Sequence, residues 1–424
     1  MEKDTRILVF TVAAWNSKVG DNSWATLLEH YDSANIANIC IRDEFPDSKV
    51  CSRYFVISEN KIIKSVLKRK IKTGRELSVN ERDTFDESDL KKHNERYGQM
   101  KKKRRYSMLL ARELVWKLGK WKTKELDAFL DDFKPDVILH SMEGYIHLNR
   151  IIEYAIKRTG ARAVGYIWDD NFTYKQSSAI GYKIYRFFER KSLSRLAKKT
   201  DAFFAISPFT KREADEFFGI DCHLLTKPLN ATPCVAEKPV GDCIELLYTG
   251  NLYIGRDRSL LKVQDAVKKL HAGRFFINVY TNSQLTDEYL AKIDPTVCCI
   301  HGAIPQSEVL EKQRSTDVLL FLEDVDGPDA KVARLSFSTK ITDYLSAGKC
   351  ILAVGNLDTA PMQYFIENDA AIVCGNERDI ENALTQISAY PPLLTEKAEK
   401  AVEVGIKNHK KEMIQNIFDS VVFG

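Results

Sequence analysis

The sequence predicts two doubly wound α/β domains joined by a short linker. Three observations lead there. The chain has 424 residues, more than one hydrophobic core usually organises, so two domains of ~200 residues each are expected. Short β-branched runs alternate along it with longer amphipathic stretches, the pattern of βαβ units and parallel sheets. The stretch Asn230–Cys243 breaks the alternation with two prolines, a glycine and no periodicity, as a linker does.

The strand-like runs before the linker are Arg6–Val12, Ile36–Ile41, Tyr54–Ile57, Asp136–His140, Ala163–Trp168 and Ala202–Ile206. Helical patterns separate several of them, including Ser23–Tyr31 and His147–Thr159. A second series follows the linker: Glu245–Tyr248, Phe275–Tyr280, Val297–His301, Val318–Leu322, Cys350–Val354 and Ala371–Cys374. Open α/β sheets bind ligands outside the C-terminal ends of their strands. Both halves are therefore expected to face a shared cleft.

Composition narrows the function. Apolar residues make up 44% and charged residues 29%, ordinary for a globular protein. No apolar run approaches the ~18–20 residues that span a bilayer. Met1–Arg6 leads straight into a strand-like stretch without a signal-peptide layout, so the cytoplasm is the expected compartment. Nine cysteines without CxxC spacing, most of them inside apolar runs (Cys40, Cys298, Cys299, Cys350, Cys374), read as small buried hydrophobes. The net charge is +4, yet residues 60–124 hold 21 Lys and Arg against 8 Asp and Glu, so the rest of the chain is net acidic. In that segment Lys61–Lys72 interleaves cations with Ile62, Ile63, Val66, Leu67 and Ile71, Lys101–Arg105 is all basic, and Trp116 and Trp121 follow. Cations and aromatics beside an apolar stripe suit an anionic membrane surface; insertion helices packed on the core are the other reading. No nucleic-acid-binding module is recognisable, and nucleic acid is not expected as a partner.

Three ordered segments of the second half carry a resemblance. Tyr248–Leu261 (YTGNLYIGRDRSLL) reads as strand, glycine turn and helix start. Cys299–Phe321 holds a strand, a glycine turn, a Pro-initiated helix and another strand. Phe337–Gly355 (FSTKITDYLSAGKCILAVG) is a loop, a helix from about Thr339, a glycine cap and a strand. Together they resemble the donor-binding domain of GT-B glycosyltransferases, most closely the family 4-like group that builds bacterial surface polysaccharides. The likeness covers roughly residues 245–420 and extends more weakly into Ile180–Leu225. It implies two Rossmann-like domains across a cleft: an acceptor domain over 1–235 with a basic insertion at 60–124, and a nucleotide-sugar domain over 243–405. A C-terminal helix over 406–424 would cross back to the first domain.

The resemblance also implies site residues. Lys340 would meet the pyrophosphate and Asp343 the ribose, with Ser338 and Thr339 at the helix N-terminus beside them. The spacing agrees, since residues three apart share a helix face, and phosphates favour helix N-termini and cations; a solvated ion pair is the alternative. Gly250, Asn251, Arg256 and Arg258 would lie against the leaving diphosphate, with two surface arginines as the equal alternative, Gly302 and Ile304 against the base, and Gly20 in the N-terminal glycine loop. Many family members carry a glutamate for the donor sugar eight residues before the ribose acid; here Leu335 stands there, and the acidic loop Glu323–Asp329 is the substitute candidate.

For acceptor chemistry the candidates are His140, ending one strand within His140–Tyr145 (HSMEGY), and Asp169 and Asp170, ending another within Tyr166–Phe172 (YIWDDNF). Asp169 matches the family's acidic position, although the usual His before it is Trp168. A cap and turn role serves Asp169 and Asp170 equally well, and His140 could equally be a hydrogen-bonded histidine at a strand end. The expected activity is transfer from a nucleotide-diphosphate sugar, UDP ahead of GDP, to a glycan or lipid-linked acceptor, with retention preferred and no obligatory cofactor or metal. A sugar-nucleotide epimerase of the same fold and a non-catalytic scaffold remain the alternatives.

Overall fold

The structure is a computed structural model and describes residues 5–15, 23–43, 46–77, 106–235, 241–271 and 273–424. Gly20 and Lys101–Arg105 lie outside the described residues. Two compact units emerge: Met1–Ala205 with Glu213–His223 and Ile417–Gly424, and Ile206–Arg212 with Leu224–Asn416.

The first unit is built on β1 (Ile7–Thr11), β2 (Ile36–Cys40), β3 (Arg53–Ile57), β4 (Gly74–Leu77), β5 (Val137–Ser141), β6 (Arg162–Ile167), β7 (Ala202–Ala205) and β8 (His223–Leu224). They form one sheet in the order β4-β3-β2-β1-β5-β6-β7-β8. The pairs from β3 through β7 are parallel, and β4 alone joins β3 antiparallel. Every residue of β2 and β5 is buried, because helices cover both faces of such a sheet and its strands read as continuous apolar runs. Helix starts follow from side-chain caps: Ser58 accepts from Lys61 N (3.3 Å) and Thr123 from Leu126 N (3.2 Å).

The second unit holds β9 (Ile244–Thr249), β10 (Phe275–Tyr280), β11 (Cys298–His301), β12 (Val318–Leu322), β13 (Cys350–Val354) and β14 (Ile372–Cys374). All are parallel in the order β11-β10-β9-β12-β13-β14, the dinucleotide-binding order 3-2-1-4-5-6. One continuous core joins the buried faces of these strands to Leu260, Val263, Leu384 and Ile387 of the flanking helices.

Several sequence expectations shift. The first helix spans Ser23–Leu28 rather than reaching Tyr31. Strands β4 and β8 went unseen, being short and, at β4, exposed at both central residues. Residues 224–235, placed with the first domain by sequence, group with the second. The reason is local bonding: Leu229 N donates to His409 O (2.9 Å) and Thr226 Oγ1 to Asn408 O (3.2 Å). At Gly348, φ is +68° and an added Cβ would lie 1.7 Å from the Cys234 carbonyl oxygen, so only glycine lets this segment pass the helix end. The last residues pack in the first unit, with Phe418 stacked on Phe204 (6.0 Å) and Arg162 donating to Val421 O (3.0 Å). All nine cysteines are free thiols.

Candidate functional site

In the second unit the strand order reverses between β9 and β12, which opens a crevice at their C-terminal ends. Gly250 and Asn251 follow β9, Glu323 follows β12, and the helix Lys340–Ala347 brings Lys340 to the same place. Lys340 Nζ lies 3.0 Å from Tyr248 Oη and 4.9 Å from the Tyr248 ring centre. Gly250 has φ +130°, and a Cβ there would fall 2.3 Å from Lys340 Cε. The glycine therefore makes the room that Lys340 occupies. Burial, with the Arg256 cation as a second cause, holds the Lys340 ammonium down to about 7.

Arg256 opens the next helix and is fixed at three points. Its Nη2 lies 2.9 Å from Glu323 Oε1, its Nε donates to Leu322 O (3.2 Å) and its Nη1 to Asn251 Oδ1 (2.9 Å). Asn251 O in turn accepts from Tyr248 Oη. Beside this cluster the helix Lys340–Ala347 starts at Thr339, whose side chain makes no capping bond to it. Its first N–H groups have no partner within the helix. A cation, a guanidinium, a glycine turn and a helix N-terminus converge here, the set that holds phosphates.

Other predicted donor residues sit differently. Arg258 is paired with Asp324 (2.9 Å) and Asp329 (3.0 Å), so it braces the acidic loop instead of reaching the crevice. Asp343 accepts from Asn230 and lies 3.5 Å from Lys227 Nζ, while its charge also acts on the Lys340 ammonium. The acidic loop is spoken for as well. Asp324 accepts from Gly327, Asp329 and Ala330 N (3.0–3.2 Å), and Asp326 pairs with Lys262 (3.2 Å). Leu335 is buried. Gly302 and Ile304 follow β11, two strands over from β9, and Gly302 is open to solvent. Between them and the crevice, Tyr280 at the end of β10 stacks on His301 (4.5 Å), an aromatic ledge the sequence did not single out.

The first unit has its own reversal, between β1 and β5. The ends of β5 and β6 are stitched together by Met142 N to Tyr166 O (2.9 Å) and Asn171 Nδ2 to Met142 O (3.2 Å). Glu143 and Asp169 emerge from them. Burial first, then the Asp169 charge, pushes the Glu143 carboxyl up to about 7, against the pull of Trp168 and Arg42. Glu143 was within the quoted HSMEGY segment, and its signal was there: a carboxylate two residues beyond a buried strand. Asp169 is exposed. Asp170 is buried and accepts from Thr173 N (2.9 Å) and the Thr173 hydroxyl, a turn-forming task. His140 is fully enclosed in the sheet, 3.1 Å from Thr200 Oγ1, and burial lowers its imidazole to about 4. No acceptor reaches it there. Among the described residues no three His, Cys, Asp or Glu side chains gather as metal ligands.

No family model matches the sequence, and no curated protein matches it. Solved structures do. Sucrose-phosphate synthase from Thermosynechococcus elongatus is 10% identical, covers 98% of each chain and superposes with TM-score 0.61. HepE from Anabaena in complex with UDP is 9% identical over 98% of this chain and 99% of its own, TM-score 0.61. The α,α-trehalose-phosphate synthase (UDP-forming) from Burkholderia xenovorans, in complex with glucose-6-phosphate, is 9% identical over 99% and 100%, TM-score 0.59. The chain has the GT-B fold. At this identity the likeness is one of architecture, and the GT-B chain's chemistry rests on its own residues.

Proposed function

We propose that this GT-B chain is a glycosyltransferase that binds a nucleotide-diphosphate sugar in the crevice of its second unit. The carrying observation is Lys340 lodged in the space left by Gly250, next to the anchored Arg256. Both cations can bear on a departing diphosphate, where preorganised charge acts most strongly. The Tyr280–His301 ledge offers a flat surface for the base. A UDP-sugar is the first candidate, supported by the likeness to HepE solved with UDP, and a GDP-sugar the second. The acceptor is a glycan or lipid-linked saccharide of surface polysaccharide synthesis, handled by the first unit. The enzyme works in the cytoplasm on the inner face of a membrane, with the basic segment 60–124 against anionic lipid. Transfer proceeds with retention, the leaving diphosphate taking the acceptor's proton.

The Glu143–Asp169 pair favours a second reading. A half-buried carboxyl poised near 7 suits a general base, and a base implies inversion. Thermal shift with UDP, GDP, ADP and CMP tests the donor assignment, since a bound ligand adds stability in proportion to RT ln(1 + [L]/Kd). A shift with UDP or GDP supports it, and no shift with any of the four removes it. The anomeric configuration of the product, read by NMR, separates retention from inversion.

A further inference from the structure

Three helices of the first unit lie side by side: Glu59–Leu67, Tyr106–Leu118 and Ile180–Ala197. Arg112 of the middle helix bonds Glu59 of the first (Nε to Oε1, 2.8 Å), and Tyr106 packs on Tyr182 of the third (ring centres 5.7 Å). Their outward sides are unusually apolar. The first helix exposes Ile63 and Leu67, the latter 89% accessible. The middle helix exposes Met108, Leu114 and Leu118. The third exposes Ile180 (78%), Ile184, Phe187 (55%) and Phe188, a single stripe at i, i+4, i+7 and i+8. Isolated surface hydrophobes need no explanation, but a set on three adjacent helices marks an interaction site.

The exposed charges on the described residues of these three helices and their ends are of one sign. Lys64, Lys68 and Lys70 are exposed at the end of the first helix, Lys117 on the second, and Lys183 and Lys191 on the third. Each helix contains a single carboxylate, and each is drawn inward. Glu59 pairs with Arg112, Glu113 with His147 (2.7 Å) and Glu189 with Arg186 (3.2 Å), leaving those side chains 15%, 10% and 8% accessible. The outward surface thus combines large apolar side chains with lysines and presents none of the three helices' own carboxylates.

We infer that this three-helix face seats the protein on an anionic phospholipid bilayer, with the Ile180–Ala197 stripe entering the headgroup and acyl boundary. The inference deepens the membrane contact proposed above, which rested on residues 60–124, and makes the third helix its apolar edge. Lysines are depleted in protein–protein interfaces, whereas lysine beside exposed Ile, Leu and Phe is what an anionic interface selects. Nucleic acid would match the lysines and leave the apolar stripe without a partner.

The test is co-sedimentation of the full chain with vesicles of phosphatidylglycerol and phosphatidylcholine, and of phosphatidylcholine alone, at low and high salt. Binding is expected to the anionic vesicles, and to weaken as salt screens the lysines. The triple change Ile184→Ser, Phe187→Ser and Phe188→Ser alters only exposed positions and should lower partitioning about tenfold or more. Each of Lys64→Gln, Lys68→Gln and Lys70→Gln should lower it roughly fivefold, about 1 kcal/mol. Equal binding to neutral and anionic vesicles would overturn the inference, as would a triple variant that sediments like the parent. A dimer abolished by the triple change, or duplex binding in place of vesicle binding, would also overturn it. UDP thermal shift on the same samples reports folding and the donor site separately. Vesicle binding without a shift by any of UDP, GDP, ADP and CMP would sink the transferase reading and leave this face standing.

Discussion

The two units repeat one architecture and give their switch points opposite charge. In the second unit the crevice between β9 and β12 gathers Lys340 and Arg256 around a glycine turn. In the first, the strands beside the β1/β5 reversal end in Glu143 and Asp169. Backbone topology supplies the concavity in both cases, and the few residues just past the strand ends decide what it can hold. Cations suit phosphate, and carboxylates suit the proton of a hydroxyl. The titration of each site carries the same mark. Desolvation pushes Lys340 down and Glu143 up, so both arrive near 7 from opposite sides.

Removing the second unit's anchored cation should have the largest effect. Arg256 and Glu323 are both largely buried, at 13% and 6% accessible. Arg256→Ala leaves that carboxylate without its guanidinium, and loss of one partner of a buried pair costs about 3–5 kcal/mol. Urea unfolding should show a loss of that order, and a variant as stable as the parent would mean the pair does not organise the crevice. Glu323→Gln together with Arg256→Met should recover much of the stability but not turnover.

Next in size is Lys340→Ala. A charge-assisted hydrogen bond to phosphate contributes about 1.5–3 kcal/mol, so calorimetry should show UDP affinity reduced by that amount and uridine affinity hardly changed. Gly250→Ala should mimic part of the loss, because the new Cβ claims the position of Lys340 Cε. Undiminished UDP binding in both variants would mean that the two crevices do not differ in the way their charges suggest.

Much of this contrast was legible in the sequence, and the missing parts have a common cause. Parallel strands such as β12 and β13 are buried along their whole length and so announce themselves as apolar runs. The edge strand β4, with Arg75 and Glu76 exposed, carries no such mark. At the candidate site, Gly250, Arg256 and Lys340 were singled out through local motifs, and the structure brings them together. The partners that hold neighbouring side chains were not, because they come from far along the chain. Asp343 is held by Lys227 and Asn230, and Arg258 by Asp324 and Asp329. Local spacing put Asp343 beside Lys340 and could not weigh those competitors. For His140 the structure favours the hydrogen-bonded strand-end histidine over the catalytic reading, because β1 and β6 continue beside it and leave it buried.

The third prediction uses pH to set the crevices against each other. Lys340 titrates near 7 in the folded chain and at its ordinary 10.5 when unfolded. Between those values the unfolded chain holds the extra proton, so this residue makes stability rise with pH. Glu143 titrates near 7 folded and 4.5 unfolded. Between 4.5 and 7 the folded chain holds the extra proton, so its contribution is lost as pH rises through that window. Lys340→Met should flatten the alkaline slope and Glu143→Gln the acidic one in thermal melts. UDP affinity should also fall above pH 7 by up to tenfold per unit, about 1.4 kcal/mol, because diphosphate binding requires the ammonium.

The smallest effect is the most discriminating. Asp169 is the second cause of the raised Glu143 carboxyl, behind burial. Asp169→Asn should therefore lower the Glu143 titration point while leaving it above 4.5, which carbon-13 carboxyl NMR can follow. If Glu143 is the base of an inverting reaction, the acidic limb of the turnover profile must move down with it, and Glu143→Gln must cost about 10²–10⁴ in rate. If the leaving diphosphate takes the proton and configuration is retained, the carboxyl should shift without moving that limb, and Glu143→Gln should turn over nearly as the parent does. A carboxyl that fails to move at all would mean the two side chains do not feel each other, and the anionic crevice of the first unit would lose its basis.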